Sequence, residues 1–372
     1  MSKKINFLIL ILVTSLSIAS CQAEPTTAGT GTTTSTAIVL PTKAPTGTPE
    51  IVVEPTTTSS PEAMPTSTNT LIAPTLPTCF VTYDTPIAFL PDNNRILIKG
   101  LSGVQIFNLG TLQEESFIKA PTNLNTPAVA LSPDGETLAW ALEDYRIELI
   151  RIADKQLIHT LAGHTDMVTK LRFSPTGDRL VSASHDDWVR IWDRDGKQVN
   201  AFQPGGGDAL GIGISPDGTM LATVPFDGSV SLWDLAEFQA IVDVGGSGGF
   251  DTSDVAFSPD GQFIAADLAT GLSVWKAADQ TLLWSGINSM AFDFSPDGRF
   301  LAYSDIGENN NVALNSPDGT QRMRTLEGHQ GPVWAMIFSP DSTRLASADG
   351  IEIRIWQVEG GELLYVGKSA CP

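Results

Sequence analysis

Residues 163–193 read GHTDMVTKLRFSPTGDRLVSASHDDWVRIWD. The stretch divides into short runs separated by turn residues. Leu171 and Phe173 lead into Ser174-Pro175-Thr176-Gly177, where Pro in second place and Gly in fourth suit a tight β-turn. Arg179-Leu180-Val181-Ser182-Ala183-Ser184 follows, then polar His185-Asp186-Asp187, then a further run ending at Trp192. Leu157-Ile158-His159-Thr160-Leu161, just upstream, is a run of the same kind. Runs this short, bounded by Gly, Pro, Asp and Ser, are strands rather than helices.

The same turn recurs along the chain, beginning at Leu90, Ser132, Ser174, Ser215, Ser258, Ser295 and Ser339, with spacings of 37 to 44 residues. An apolar residue precedes each copy: Phe89, Leu131, Phe173, Ile214, Phe257, Phe294 and Phe338. A second marker follows 17 to 19 residues after the start of each turn: Phe107, Ile150, Trp192, Trp233, Trp275, Leu314 and Trp356. Seven units in phase, each of four short strands, predict an all-β repeat array.

These units resemble the WD-repeat family, through Gly163-His164 with Trp192-Asp193, Gly328-His329 with Trp356, and Trp233-Asp234. The resemblance covers about 290 residues, from Cys79 to Cys371. It implies a seven-bladed β-propeller of four-stranded antiparallel blades, in which neighbouring blades bury each other's faces. It also implies a hydrogen-bonded His–Ser/Thr–Asp–Trp network inside a blade. The third repeat supplies His164, Ser182 or Ser184, Asp186 and Trp192; the seventh supplies His329, Ser347, Asp349 and Trp356, on a hairpin one residue shorter. The fourth keeps Thr223, Asp227 and Trp233 but has Gly206-Gly207 in place of His. Where Phe107, Ile150 and Leu314 replace Trp, the blades are expected to rely on apolar packing alone.

Many propellers close by lending an N-terminal strand to the last blade. Here Glu362-Leu363-Leu364-Tyr365-Val366 gives the last repeat its own fourth strand, so each blade is expected to be contiguous. Superposing the repeats brings Cys79 and Cys371 to neighbouring positions of a closed ring. In an exported chain that predicts a Cys79–Cys371 disulfide, with two unpaired thiols as the alternative.

Export is read from the other end. Lys3 and Lys4 precede an apolar run of 14 residues, Ile5 to Ile18, too short to span a bilayer comfortably. Ile18-Ala19-Ser20 then leads directly into Cys21, which looks like the lipobox of bacterial lipoproteins. By that resemblance residues 1–20 are a signal peptide and Cys21 is lipidated, holding the protein in the cell envelope outside the cytoplasmic membrane. Residues 21–78 read as a Thr/Pro-rich disordered stalk, unable to bury enough apolar surface to offset ordering entropy. Residues 79–372 form the propeller.

The chain carries a formal net charge of -20, about -19 of it beyond residue 78. Binding nucleic acid through phosphates needs the opposite sign, so no nucleic-acid partner is expected. The four His are His159, His164, His185 and His329, and two of them belong to blade networks. No His/Cys cluster has metal spacing, and no His/Asp/Glu cluster is expected at the central channel, so neither metal, cofactor nor enzymatic activity is predicted. Gly205-Gly206-Gly207 and Gly245-Gly246-Ser247-Gly248-Gly249 precede strands rather than helices and read as turns between blades.

Recognition remains. In the family, one end of the propeller binds partners through the loops between blades and the hairpins joining second to third strands. On this chain these loops carry Tyr145, Asp166, Met167, His185, Asp187, Trp188, Phe226, Phe250 and Asp251. Trp188 stands where the repeat usually has a polar residue; it is either an exposed anchor or packed on the neighbouring hairpin. Trp284 and Trp334 read as core residues within strands. The expectation is a monomeric, non-enzymatic platform for a protein or peptide, with an envelope receptor for a sugar or small ligand as the alternative.

Overall fold

The computed structural model describes residues 85–100, 102–120, 128–245 and 254–368. The signal peptide, Cys21, the stalk, Cys79, Phe250, Asp251 and Cys371 lie outside these residues, and with them the predicted lipidation and disulfide.

The described chain is all β: seven antiparallel sheets, each of four strands in sequence order. Blade 1 holds β1 (Thr85–Phe89) to β4 (Gln113–Lys119), and blade 2 holds β5 (Val129–Leu131) to β8 (Leu157–Leu161). Blade 3 runs from β9 (Val168–Phe173) through β10 (Arg179–Ser184) and β11 (Val189–Asp193) to β12 (Gln198–Phe202). Blade 4 holds β13 (Ala209–Ile214) to β16 (Gln239–Gly245), and blade 5 holds β17 (Asp254–Phe257) and β18 (Phe263–Leu268) to β20 (Leu282–Ile287). Blade 6 runs from β21 (Phe292–Phe294) to β24 (Arg322–Leu326), and blade 7 from β25 (Ala335–Phe338) and β26 (Arg344–Ala348) to β28 (Leu363–Lys368). Every blade is one contiguous segment, as expected.

The first strands touch one another in order round the ring, β25 closing against β1. They therefore line the axis. Second and third strands are covered on both faces by neighbouring blades and read as unbroken apolar or small runs; β10 is buried from Leu180 to Ser184. Fourth strands are the rim of the disc and stay wet, as in β12. The core is accordingly not inside any blade. Seven apolar clusters form, one at each interface between adjacent blades. The closing interface packs Phe89, Ile96, Ile98, Phe107 and Leu109 of blade 1 against Ala346, Ala348, Ile353 and Ile355 of blade 7. Asn93 adds two bonds across it, its Oδ1 accepting from the Asp341 amide at 3.0 Å and its carbonyl from Arg344 at 3.0 Å.

The recurring turn joins first to second strand. In Ser132-Pro133-Asp134-Gly135 the Gly135 amide closes the turn on the Ser132 carbonyl at 2.9 Å, while the Ser132 hydroxyl donates to Asp134 at 2.5 Å. Gly135 has φ +74°, a left-handed conformation that glycine adopts without strain. Ser215, Ser258, Ser295 and Ser339 bond to their own Asp in the same way. An eighth copy, Ser316-Pro317-Asp318-Gly319, lies out of phase and turns β23 (Asn311–Asn315) into β24. Because the strands alternate in direction, all turns of these two kinds sit at one end of the disc. The second-to-third-strand hairpins and the connections between blades sit at the other.

Candidate functional site

The blade 3 network forms. Trp192 donates its indole N–H to Ser182 Oγ at 2.9 Å, Ser182 bonds His164 Nε2 at 2.8 Å, and His164 Nδ1 lies 3.0 Å from Asp186. Burial lowers the His164 pKa, with Asp186 opposing it, so the imidazole is neutral near pH 7. Nδ1–H then donates to the carboxylate, Nε2 accepts from the serine hydroxyl, and the serine oxygen accepts from Trp192; every group is matched. Burial alone would raise Asp186, but the amides of Thr165 and Trp188 and the His164 ring outweigh it and lower its pKa. Ser184 donates to the Asp166 carbonyl instead, which makes Ser182 the network serine.

Blade 7 repeats the arrangement through Trp356, Ser347 and His329, at 2.8 and 2.7 Å. Its last link is looser. His329 Nδ1 lies 3.2 Å from Asp349 Oδ2 without hydrogen-bond geometry. His329, Asp349 and Glu352 bring donor atoms within 4.8 Å of one another, the one such metal-like group among the described residues. The donors are already engaged: Asp349 accepts from the amides of Gln330, Gly331, Ile351 and Glu352, and Glu352 is held by the Arg354 guanidinium. The group is a structural latch. In blade 4, Trp233 still donates to Thr223, at 2.9 Å. Gly206 stands beside Asp227, where an added Cβ would come within 2.5 Å of the carboxylate.

Two blades correct the expectation of apolar packing alone. Blade 2 lacks the third-strand Trp, but Trp140 occupies the position equivalent to Ser182 and donates to Glu148 at 3.1 Å. Blade 6 places Tyr303 there, its hydroxyl accepting from Asn315 at 3.0 Å. A large aromatic on the second strand thus fills the space that Trp192 fills from the third. Phe107 of blade 1 packs in the closing apolar cluster.

The loop end carries the predicted binding residues. Tyr145, Met167 and Phe226 are exposed, and Asp166 is too. Tyr145 and Asp187 sit at equivalent hairpin positions with φ +69° and +68°, where blades 4 and 5 have Gly228 and Gly271. Trp188 is half-buried under the Arg190 guanidinium, 5.6 Å from its ring centre, rather than a free anchor. His185 Nδ1 lies 2.6 Å from Asp208, tying the blade 3 hairpin to the loop entering blade 4. Trp284 is half-buried on β20 and leans on Tyr303. Trp334 departs from its expected core place. It lies just before β25, is 39% exposed, and rests over Gly350 of the adjoining hairpin.

The channel holds an unexpected feature. Three carboxyls lie on its wall or one strand behind it, contrary to the absence of an acid cluster expected from the sequence. Asp254 of β17 accepts from Lys170 Nζ at 2.9 Å and from Arg172 at 3.0 Å, both on β9, two blades away. Burial would raise Asp254, but the two cations lower its pKa. Asp267, its register partner on β18, is 3% exposed and its Oδ2 has no hydrogen-bond partner. Burial and the adjacent Asp254 push Asp267 up to about 8. Asp293 of β21 accepts from the Phe338 amide at 2.7 Å, and burial pushes it up to about 7. Sequence pattern hid this cluster because its members lie up to 84 residues apart.

A seven-bladed propeller with these internal latches is a repeat-built fold, and the chain carries WD40 repeats. The family described as WD domain, G-beta repeat matches residues 155–193, 197–234 and 320–357. These matches end on the third strands of blades 3, 4 and 7, where the Trp–hydroxyl bond is found. The chain is 28% identical to Periodic tryptophan protein 2 of Arabidopsis thaliana over 236 residues, 55% of this chain and 26% of that protein. It is 35% identical to WD repeat-containing protein VIP3 of the same plant over 204 residues, 54% of this chain and 55% of VIP3. An uncharacterized WD repeat-containing protein of Synechocystis is 36% identical over 107 residues, 28% of this chain and 30% of the relative. The chain spans 26% or less of the length of the first curated relatives it matches.

Proposed function

We propose that the protein is a non-enzymatic interaction platform, lipid-anchored through Cys21 in the cell envelope, that binds a protein or peptide at the loop end of its propeller. The observation that carries the reading is an asymmetry between the two ends. Among the described residues the exposed large apolar side chains are Tyr145, Met167, Phe226, Met290, Trp334 and Ile351 at the loop end, and Leu157, Val199, Ile241, Leu282 and Met323 on fourth strands. The fourth-strand group lies on the outer edge, in the half of each strand nearer the Ser-Pro-Asp-Gly end, but none lies in the turns of that end, so among the loops and turns the exposed large apolar side chains all belong to the loop end. Exposed apolar side chains gathered at one end of a rigid scaffold mark a recognition surface. The net charge of -20 favours a basic partner over nucleic acid. WD-repeat relatives whose names place them in assemblies, such as the U3 small nucleolar RNA-associated protein 21 of Saccharomyces cerevisiae, support a scaffold rather than an enzyme.

The test is crosslinking in intact host cells, with mass spectrometry of what joins the propeller, for wild type and for Phe226→Ser combined with Trp334→Ser. One dominant protein, lost in the double variant, is expected. No specific protein in either case would sink the platform. A Cys21→Ala chain should leave the membrane fraction, and one that stays there would refute the anchor.

A further inference from the structure

The inner strands align on the serine of the recurring turn. Four residues before it stand Ala128, Lys170, Gly211, Asp254, Ala291 and Ala335 in blades 2 to 7; two before it stand Ala130, Arg172, Gly213, Ala256, Asp293 and Ile337. A channel walled otherwise mostly by Ala and Gly thus carries charged groups from blades 3, 5 and 6. Blade 4 lies between Lys170 and Asp254 and offers only glycine at these positions, which leaves the ion pair room to form at 2.9 Å.

Within this group three carboxyls, Asp254, Asp267 and Asp293, face two cations, Lys170 and Arg172. With all three carboxyls ionised the cluster is one positive charge short. The carboxyl left over is the most deeply buried, Asp267, whose Oδ2 has no partner. An unpartnered buried carboxyl oxygen is expensive. Side-chain exposure falls from 45% at Arg172 through 32% at Lys170 to 23% at Asp254, so the cluster opens toward solvent and ends blindly at Asp267. Lys170 and Asp254 stand four residues before their turn serines and the more exposed Arg172 only two, so the opening faces the central channel rather than the loops.

We propose that this cluster is a binding site for one primary ammonium group, seated between Asp267 and Asp254 beside Lys170. At neutral pH a proton occupies Asp267 in its absence, because burial and Asp254 hold that carboxyl protonated up to about pH 8. Entry of the ammonium expels that proton to solvent and gives the unpartnered oxygen a charged donor. A multivalent metal does not fit, since these three carboxyls do not gather their oxygens within ligand reach. The ammonium comes from a lysine of a partner docked on the loop end or from a free small amine; the first source rests on the platform reading, the second does not.

The experiment is calorimetric titration of the full chain at neutral pH with n-butylammonium, with Nα-acetyl-lysine amide, and with n-butanol as the uncharged match, in two buffers of different ionisation heat. Saturable binding of the ammonium probes with release of up to one proton is expected, with no binding of butanol. Asp267→Asn should abolish the proton release and weaken binding about tenfold or more, and Lys170→Met, which removes the competing cation, should tighten it. Binding of butylammonium alone assigns the site to free amines; binding of both probes admits the lysine source. Absence of saturable binding to folded wild type and Lys170→Met overturns the proposal, as does binding that Asp267→Asn leaves unchanged. Butylammonium is too small to touch the loop-end aromatics, so its failure leaves the platform reading standing.

Discussion

Trp192 and Ser182 meet through a 2.9 Å bond between indole N–H and hydroxyl oxygen, and the same hydroxyl bonds His164 at 2.8 Å. One small side chain thus satisfies two buried partners. Ser182→Ala should leave both unmatched and destabilise the propeller by about 1–3 kcal/mol. Ser184→Ala loses a bond to the Asp166 carbonyl and one from the Asp186 amide, both at the hairpin rather than between buried side chains, and should cost less, about 0.5–1.5 kcal/mol. Urea midpoints for the two variants give the comparison, and equal losses would contradict the network.

Blade 2 makes the complementary test. Trp140→Ser should cost about 3–5 kcal/mol through the cavity it leaves. Adding Ile150→Trp restores the arrangement of blade 3, with a third-strand Trp facing a second-strand hydroxyl, and should recover part of that loss. A double-mutant cycle with strictly additive effects would show that the two positions do not share one space.

Asp267 sets a pH dependence whose sign runs against that of ordinary carboxylates. Its folded pKa of about 8 lies above the unfolded value, so between about pH 4 and 8 the folded state binds the extra proton. Stability therefore falls as pH rises through that window. Asp293, at about 7, acts in the same direction over a slightly narrower range. Asp267→Asn should melt several degrees higher than wild type at pH 8 and nearly with it at pH 4. A gap that is constant with pH would place the effect elsewhere.

Tyr145 should trade stability against recognition. With φ +69° it occupies a place suited to glycine. Tyr145→Gly should raise stability by up to about 1 kcal/mol while weakening capture of the crosslinked partner. A loss of stability with unchanged capture would remove Tyr145 from the binding surface.

Asn93 has φ +59° and holds the closing interface. Asn93→Gly should lose only the side-chain bond to Asp341, and Asn93→Ala should lose more, because alanine tolerates that backbone poorly. Hydrogen exchange should show faster opening of β1 and β25 than of the other first strands in both variants.

Much of this architecture was legible because its markers are local. The phase of Ser-Pro-Asp-Gly and the third-strand Trp set blade number and strand order, and His164, Ser182, Asp186 and Trp192 fall within one repeat. Choosing Ser182 over Ser184 needed the register of β10 against β11. The channel charges were not legible in the same way, since Lys170 and Asp254 meet only after two blade-to-blade steps. A signal exists nonetheless: aligned on the turn serine, Lys170, Arg172, Asp254 and Asp293 stand out in columns filled mostly by Ala and Gly. Trp334 lies one residue outside β25, a boundary that sequence pattern does not resolve, and the role of Trp140 is hidden because its size answers a vacancy on a different strand.

The closing interface has a consequence for how the chain comes to be folded. Phe89, Ile96, Ile98, Phe107 and Leu109 are made with the first blade, yet the surface that covers them includes Ile353 and Ile355 of the seventh. A growing propeller therefore carries a sticky face at each end of its partial ring until the seventh blade arrives. Interruption at any intermediate blade leaves two complementary surfaces on every molecule, which invites head-to-tail association between copies. The contacts that complete the monomer are thus the ones that a stalled chain would offer to its neighbours.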